Sequence, residues 1–216
     1  MDKLFGQIRQ SFQQKSTQAI KADFLIVLKK QIKDRSFREM IFHPLGFIYS
    51  KLYEFDNGES LRLHIWDKER FYQNPLMDIH NHFYTVNSLV LIGKIKNLLY
   101  QQNTSNDPNY AIYRGSYNAA GDRTLTKTNK SMFVFIQGEE VITQDKIYRI
   151  TPIELHSSFV DPTNFTCTLV YTECPAKPTP IVLGPLHGQN EYTYPIKLVD
   201  TGIANDLLQK VLVNLQ

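Results

Sequence analysis

Asp78-Ile79-His80-Asn81-His82 is the stretch on which the reading of this chain turns. Residues two apart on a strand point to one side, so the imidazoles of His80 and His82 can reach one metal ion from a single piece of backbone. A third ligand has to come from elsewhere. His156 is the candidate, at the end of Tyr148-Arg149-Ile150-Thr151-Pro152-Ile153-Glu154-Leu155-His156, where an alternating strand runs into a proline turn. In a barrel such a strand can lie across from the first pair. His-X-His alone also fits two surface or hydrogen-bonded histidines, so the surroundings have to decide.

Around these histidines the chain has a β texture. From His43 onward, Gly, Pro and Asn-Gly separate short runs rich in β-formers, with the clearest strands at Phe47–Phe55, Leu61–Trp66, Asn87–Ile92, Met132–Ile136, Lys146–Ile150 and Thr166–Tyr171. Asn57-Gly58 and Gln144-Asp145 suit tight hairpin turns. The polar segment Gln101–Lys130 reads as a long loop or an extra hairpin. Pro175, Pro178, Pro180 and Pro185 favour an extended crossing after Cys174. Before the strands, residues up to about Phe42 read as helical, with Ile20, Phe24, Val27, Leu28 and Ile32 at helical spacing and Ser16 or Thr17 as a cap. After them, Gly202–Leu215 is a closing amphipathic helix behind Asp200 or Thr201.

Composition narrows the class. A chain of 216 residues with 42% hydrophobic content, 13 Phe and 12 Tyr has the makings of one globular domain. A net charge of +3 with scattered Lys and Arg argues against nucleic acid. No run approaches the roughly 18 apolar residues of a membrane span, and Met1-Asp2-Lys3-Leu4-Phe5-Gly6-Gln7 has no signal-peptide core, so the expectation is a cytoplasmic protein without a membrane partner. Cys167 and Cys174 are too few for a disulfide framework and read as reduced thiols.

The run Ile79-His80-Asn81-His82, an apolar strand to Gly93, and then Ile150-Thr151-Pro152 with His156 together resemble the two motifs of the cupin superfamily. There the first motif is His-X-His, a glutamate a few residues on, and a glycine closing the strand; the second carries a proline and a histidine. The resemblance covers roughly Phe47 to Pro175. It implies a mainly β fold, a cupin-type double-stranded β-helix (jelly-roll) barrel over 43–199, with an N-terminal helical extension over 1–42 and a C-terminal helix over 200–216. Where the usual pattern has a glutamate ligand, this chain has Val86 or Asn87. That departure resembles the cysteine dioxygenase branch, whose iron is held by three neutral histidines.

Phe165-Thr166-Cys167-Thr168-Leu169-Val170-Tyr171 resembles that branch's strand ending in a catalytic tyrosine, which implies Tyr171 as the catalytic residue, although Leu169 stands where the branch tends to have a histidine. The carboxylate-binding arginine of the branch falls near Lys51, a point charge without the arginine fork and better read as a solvated strand-edge lysine. Asp78 and Glu154 share strand parity with the histidines and could accept from them or, less readily, serve as a fourth ligand, although solvated loop carboxylates are the default reading. His43 and His187 sit in loop-like segments and read as structural or exposed.

Strand parity adds a second group. In Leu61-Arg62-Leu63-His64-Ile65-Trp66 the leucines and isoleucine form one apolar face, leaving Arg62, His64 and Trp66 together on the other. With Trp66 among them, the barrel interior is the better place for that face, which makes Arg62 the anchor for a substrate anion and His64 its hydrogen-bonding neighbour. The resulting expectation is a mononuclear non-haem Fe(II) dioxygenase acting with O2 on a small anionic thiol or carboxylate substrate. Zn, Mn or Ni are alternatives for the metal. Two other classes stay open: a non-catalytic cupin that binds or senses a small ligand, and a Zn- or Mn-dependent isomerase or lyase. The N-terminal helices could cover one barrel end or mediate a homodimer.

Overall fold

The computed structural model describes residues 1–71, 73–104, 107–119, 121–173 and 179–216. Among the described residues strand takes 45% and helix 22%, so the fold is mainly β, built there from two antiparallel sheets and three helices. The elements, in chain order, are α1 (Asp2–Gln13), α2 (Thr17–Asp34), β1 (Met40–His43), β2 (Phe47–Glu54), β3 (Ser60–Trp66), β4 (Thr85–Ile92), β5 (Lys94–Asn103), β6 (Tyr110–Tyr117), β7 (Arg123–Thr143), β8 (Ile147–Ile150), β9 (Leu155–Phe159), β10 (Thr166–Glu173), β11 (Ile181–Gly184), β12 (Glu191–Tyr194) and α3 (Thr201–Leu215). No described helix is long and apolar enough to cross a membrane.

The first sheet runs β1-β2-β3-β10-β4-β8 and the second β11-β6-β7-β5-β9, with β12 added to β7. The two exchange strands at Gly93. Its φ of +80° and the 2.5–2.9 Å at which a Cβ would meet Thr166 and the Phe165 carbonyl leave room only for glycine where β4 passes into β5.

Alternation decides what each face of the first sheet touches. Leu61, Leu63 and Ile65 on β3, Leu89 and Leu91 on β4, and Cys167, Leu169 and Tyr171 on β10 are fully buried in one core cluster. Phe5, Ile8 and Phe12 of α1, Ile20, Phe24, Val27 and Leu28 of α2, and Leu207, Leu208 and Val211 of α3 complete it. Each such side chain contributes roughly 1.5–3 kcal/mol on burial, so the helices are held by this face. Asp200 caps α3, its carboxylate accepting from the Gly202 and Ile203 amides at 2.7 and 3.3 Å. Ser16 stands at the N-cap of α2 without a side-chain cap bond.

Two expectations change. The N-terminal helical reading overruns: α2 ends at Asp34, Arg35 turns to φ 48°, and Met40–His43 pairs with β2 as a strand. Polar Lys33-Asp34-Arg35-Ser36 breaks the helical stripe, and Met40 is buried as an edge-strand residue. In Gln101–Lys130 the extra hairpin is what forms, as β6 and a first half of β7 that continues through Met132–Ile136 to Thr143. Pro175 and Pro178 lie outside the described residues; beyond them, Ile181–Gly184 and Glu191–Tyr194 are strands rather than a bare crossing.

Residues 79–81 join the outer strands of the second sheet. His80 bridges both His156 of β9 and Val182 of β11. The His80 and His156 amides each donate to the other's carbonyl at 3.0 Å, and the Leu183 amide donates to the Ile79 carbonyl at 2.8 Å. Ile79 turns into an apolar cluster with Leu155 and Leu183. His80 consequently faces the other way, toward the first sheet.

Candidate metal centre

Between the sheets lies a cavity of about 660 Å³, lined from the first sheet by β2, β3, β8 and β10 and from the second by β6, β7, β9 and β11. His80, His82 and His156 meet on its wall. One ring nitrogen from each lies within 4.8 Å of the others. A first-row cation about 2.1 Å from each nitrogen needs them roughly 3–3.5 Å apart, a gap that small ring rotations close.

The donor set suits such an ion. The Nδ1–H of His80 can donate to the Asp78 carbonyl at 2.8 Å, which turns Nε2 toward the cavity. Nδ1 of His156 is buried and has no hydrogen-bond partner. Burial pulls His80 down to about 4 and His156 down to about 3, with mutual repulsion adding to the latter, and it holds His82 well below its usual value. All three are therefore neutral at pH 7, the form a cation binds. Among the described residues no carboxylate joins the group. Val86 lines the cavity, while Asn87 donates to Glu173 at 3.1 Å.

Asp78 takes its part through its backbone carbonyl, and burial raises its side-chain carboxyl. Glu154 is spent on its own turn, accepting from the Thr151 amide at 2.6 Å. Neither carboxylate supports a histidine, contrary to the parity argument.

Arg62, His64 and Trp66 line the same cavity. Nε of Arg62 donates to Ser60 Oγ at 2.9 Å and Nη1 to the Tyr84 hydroxyl at 2.5 Å, with the guanidinium 4.5 Å from the Tyr84 ring centre. No carboxylate pairs with it among the described residues. His64 stacks on Phe47 at 4.5 Å, and burial, with Arg62 second, pushes it down to about 3. Lys51 stands at the cavity edge, ion-paired to Glu54 at 2.6 Å and 46% exposed, which is the solvated-lysine reading.

Tyr171 is not in the cavity. On β10 it is Val170 and Thr172 that line it, and Tyr171 points into the core beneath α1, where its hydroxyl donates to Glu59 at 2.7 Å and its ring lies 5.7 Å from Phe12. Burial first, then the Glu59 carboxylate, raise its phenol. The expected proton-handling role fails on parity. Tyr171→Phe should leave metal content unchanged and lower stability by roughly 1–3 kcal/mol, because Glu59 loses a buried donor. Denaturant midpoints and elemental analysis check this; a loss of metal at unchanged stability would contradict it.

Sequence reasoning missed three cavity residues. Tyr84 holds Arg62 and stacks on His82 at 5.0 Å. His43, read as structural or exposed, lines the cavity, stacks on Phe47 at 4.4 Å and accepts from the Leu45 amide. Arg123 lines it from the start of β7. The other histidine set aside, His187, is exposed. Cys167 is buried with a free thiol, and Cys174 lies outside the described residues.

No family model matches the chain, and no curated protein matches it.

Proposed function

We propose that the protein is a mononuclear non-haem iron dioxygenase of the cupin type, acting on a small anionic thiol or carboxylate substrate. The observation that carries this is the convergence of three neutral histidines, His156 buried and His80 and His82 half-buried, with an arginine that lacks a carboxylate partner among the described residues, in one cavity. The strand order supports the jelly-roll reading: β3-β10-β4-β8 on one side and the 79–81 segment with β9, β5 and β7 on the other.

His80, His82 and His156 would hold the metal. A ferrous ion there supplies open coordination positions and an uncompensated +2 charge for the oxidation of an anionic substrate by O2. Arg62 binds the substrate anion and is fixed for it by Ser60 and Tyr84. Tyr84, whose oxygen accepts from Arg62, keeps its own proton free to donate toward the substrate. His64 is neutral and accepts or passes a proton beside Arg62. The aromatic wall of Phe47, His64 and Trp66 keeps bulk water from the reacting atoms.

The test is oxygen uptake by anaerobically iron-loaded protein given a panel of small thiols and carboxylates. Uptake is expected from the native chain and none from His82→Ala. Absence of uptake across the panel, with iron bound, would move the site to redox-neutral or ligand-binding chemistry.

A further inference from the structure

The cavity contains more cationic charge than one small anion neutralises. Of its charged lining residues, Lys51 is already paired to Glu54, and Asp78 is the one carboxylate among those described. Arg62 and Arg123 remain. Arg62 uses Nε and Nη1 on neutral hydroxyls and has no partner for Nη2 among the described residues. Arg123 is half-buried, and its side chain has neither a hydrogen bond nor an ion pair among them.

Arg123 is placed by the hairpin. It opens β7, stands across from Tyr117 of β6 and Tyr194 of β12, and its Nε lies 3.6 Å from where a Cβ on Gly115 would be. It reaches the cavity from the second sheet, beside His80, whereas Arg62 reaches it from the first. A small neighbouring recess with Pro44, Pro75 and Val182 shares Arg123 and His80 with the cavity as lining. Removing a guanidinium from water with no anion is unfavourable, and here two half-buried guanidinium groups line the cavity, one from each sheet.

We propose that the ligand of this cavity carries two anionic groups, one held by Arg62 and the other by Arg123, so that it spans the space between the sheets across the histidine cluster. The volume agrees: about 660 Å³ is well inside the range of ordinary ligand pockets and larger than a single small amino acid fills. The wall of stacked rings, His43 on Phe47 at 4.4 Å and Phe47 on His64 at 4.5 Å, offers nothing charged to the middle of the ligand. That fits an apolar body between two acidic ends. The inference rests on the cavity being the substrate site and makes the substrate class a dianion.

The experiment is calorimetric titration of the full chain with dicarboxylates from succinate to adipate, each against the monocarboxylate of equal length. Metal-free and zinc-loaded protein are both used, with metal content measured on the same samples. At least one dicarboxylate should bind ten-fold or more tighter than its monocarboxylate, and Arg123→Met should remove that preference while leaving monocarboxylate binding within two-fold. Arg123→Gln is the second variant should the first not fold, and the native comparison needs no variant. Equal binding of the two series by native protein overturns the proposal, as does a preference that survives both Arg123 variants. A dicarboxylate preference in a chain that binds no metal would sink the iron reading alone; metal binding without the preference would sink this one alone.

Discussion

Replacing His80, His82 or His156 singly with alanine is expected to lower bound metal from about one ion per chain to under about a tenth after dialysis. Three ligands leave no redundancy, and removing even a group that merely supports a ligand reduces affinity 10–100-fold. The donor geometry makes the effect unequal in origin. His82→Ala removes a nitrogen and little else, whereas His80 and His156 also belong to a strand pair whose backbone bonds survive the change. The folded state should therefore persist in all three variants. His187→Ala, at an exposed position, is the control and should keep its metal. Full occupancy in the His156→Ala protein, read by elemental analysis, would remove the third ligand from the assignment.

The metal-free protein is expected to lose stability steadily as pH falls from 6.5 to 5. Unfolded histidines titrate near 6.5, while burial holds His80 at about 4 and His64 and His156 at about 3 in the folded chain. Between those values the unfolded state binds more protons, so stability falls as pH falls. Above 6.5 the same histidines carry no penalty. At pH 5 each of the three is about 1.5 pH units into the penalty, roughly 2 kcal/mol apiece at 1.36 kcal/mol per unit. Their sum, about 6 kcal/mol, is comparable with a whole domain's margin of about 5–15. His43 and His82, also held well below their usual values, push the same way. A bound cation competes with the protons, so zinc loading should move the loss to lower pH. Urea midpoints at pH 7.5, 6 and 5, with chelator and with zinc, decide it; a metal-free midpoint that does not move over this range is incompatible with five neutral imidazoles lining the cavity.

Periodicity made the local arrangements legible. His80 and His82 are on one side of their segment because they are two apart, and Arg62, His64 and Trp66 share a face because Leu61, Leu63 and Ile65 claim the other. The same rule, applied to β10, argues against Tyr171: Cys167 and Leu169 share its face and are as apolar as the core they enter. The resemblance to a family strand outweighed that alternation in the sequence reading, and the parity was the better guide. His43 was lost with the misplaced helix end, since a residue after a helix and a residue ending an edge strand face different surroundings. Tyr84 continues the two-residue spacing of His80 and His82 and was overlooked, whereas Arg123 left no local signal. What brings Arg123 to the cavity is the return of a hairpin more than 40 residues after His80 in the chain, a long-range pairing that alternation in a short window does not reveal.

The reciprocal bonds between His80 and His156 determine more than the position of a strand. A pair that exchanges both amide–carbonyl bonds holds its Cα atoms about 5.5 Å apart, a spacing belonging to the sheet and not to the ion. Two of the three imidazoles thus grow from a rigid gauge, and only their side-chain torsions are left to adjust. Such a jaw would suit cations with metal–nitrogen distances near 2.1 Å better than calcium, which would find no oxygen ligands among the three nitrogens. Size discrimination at this centre would then be inherited from β-sheet spacing, and ions could be exchanged for one another without the backbone registering which one is present.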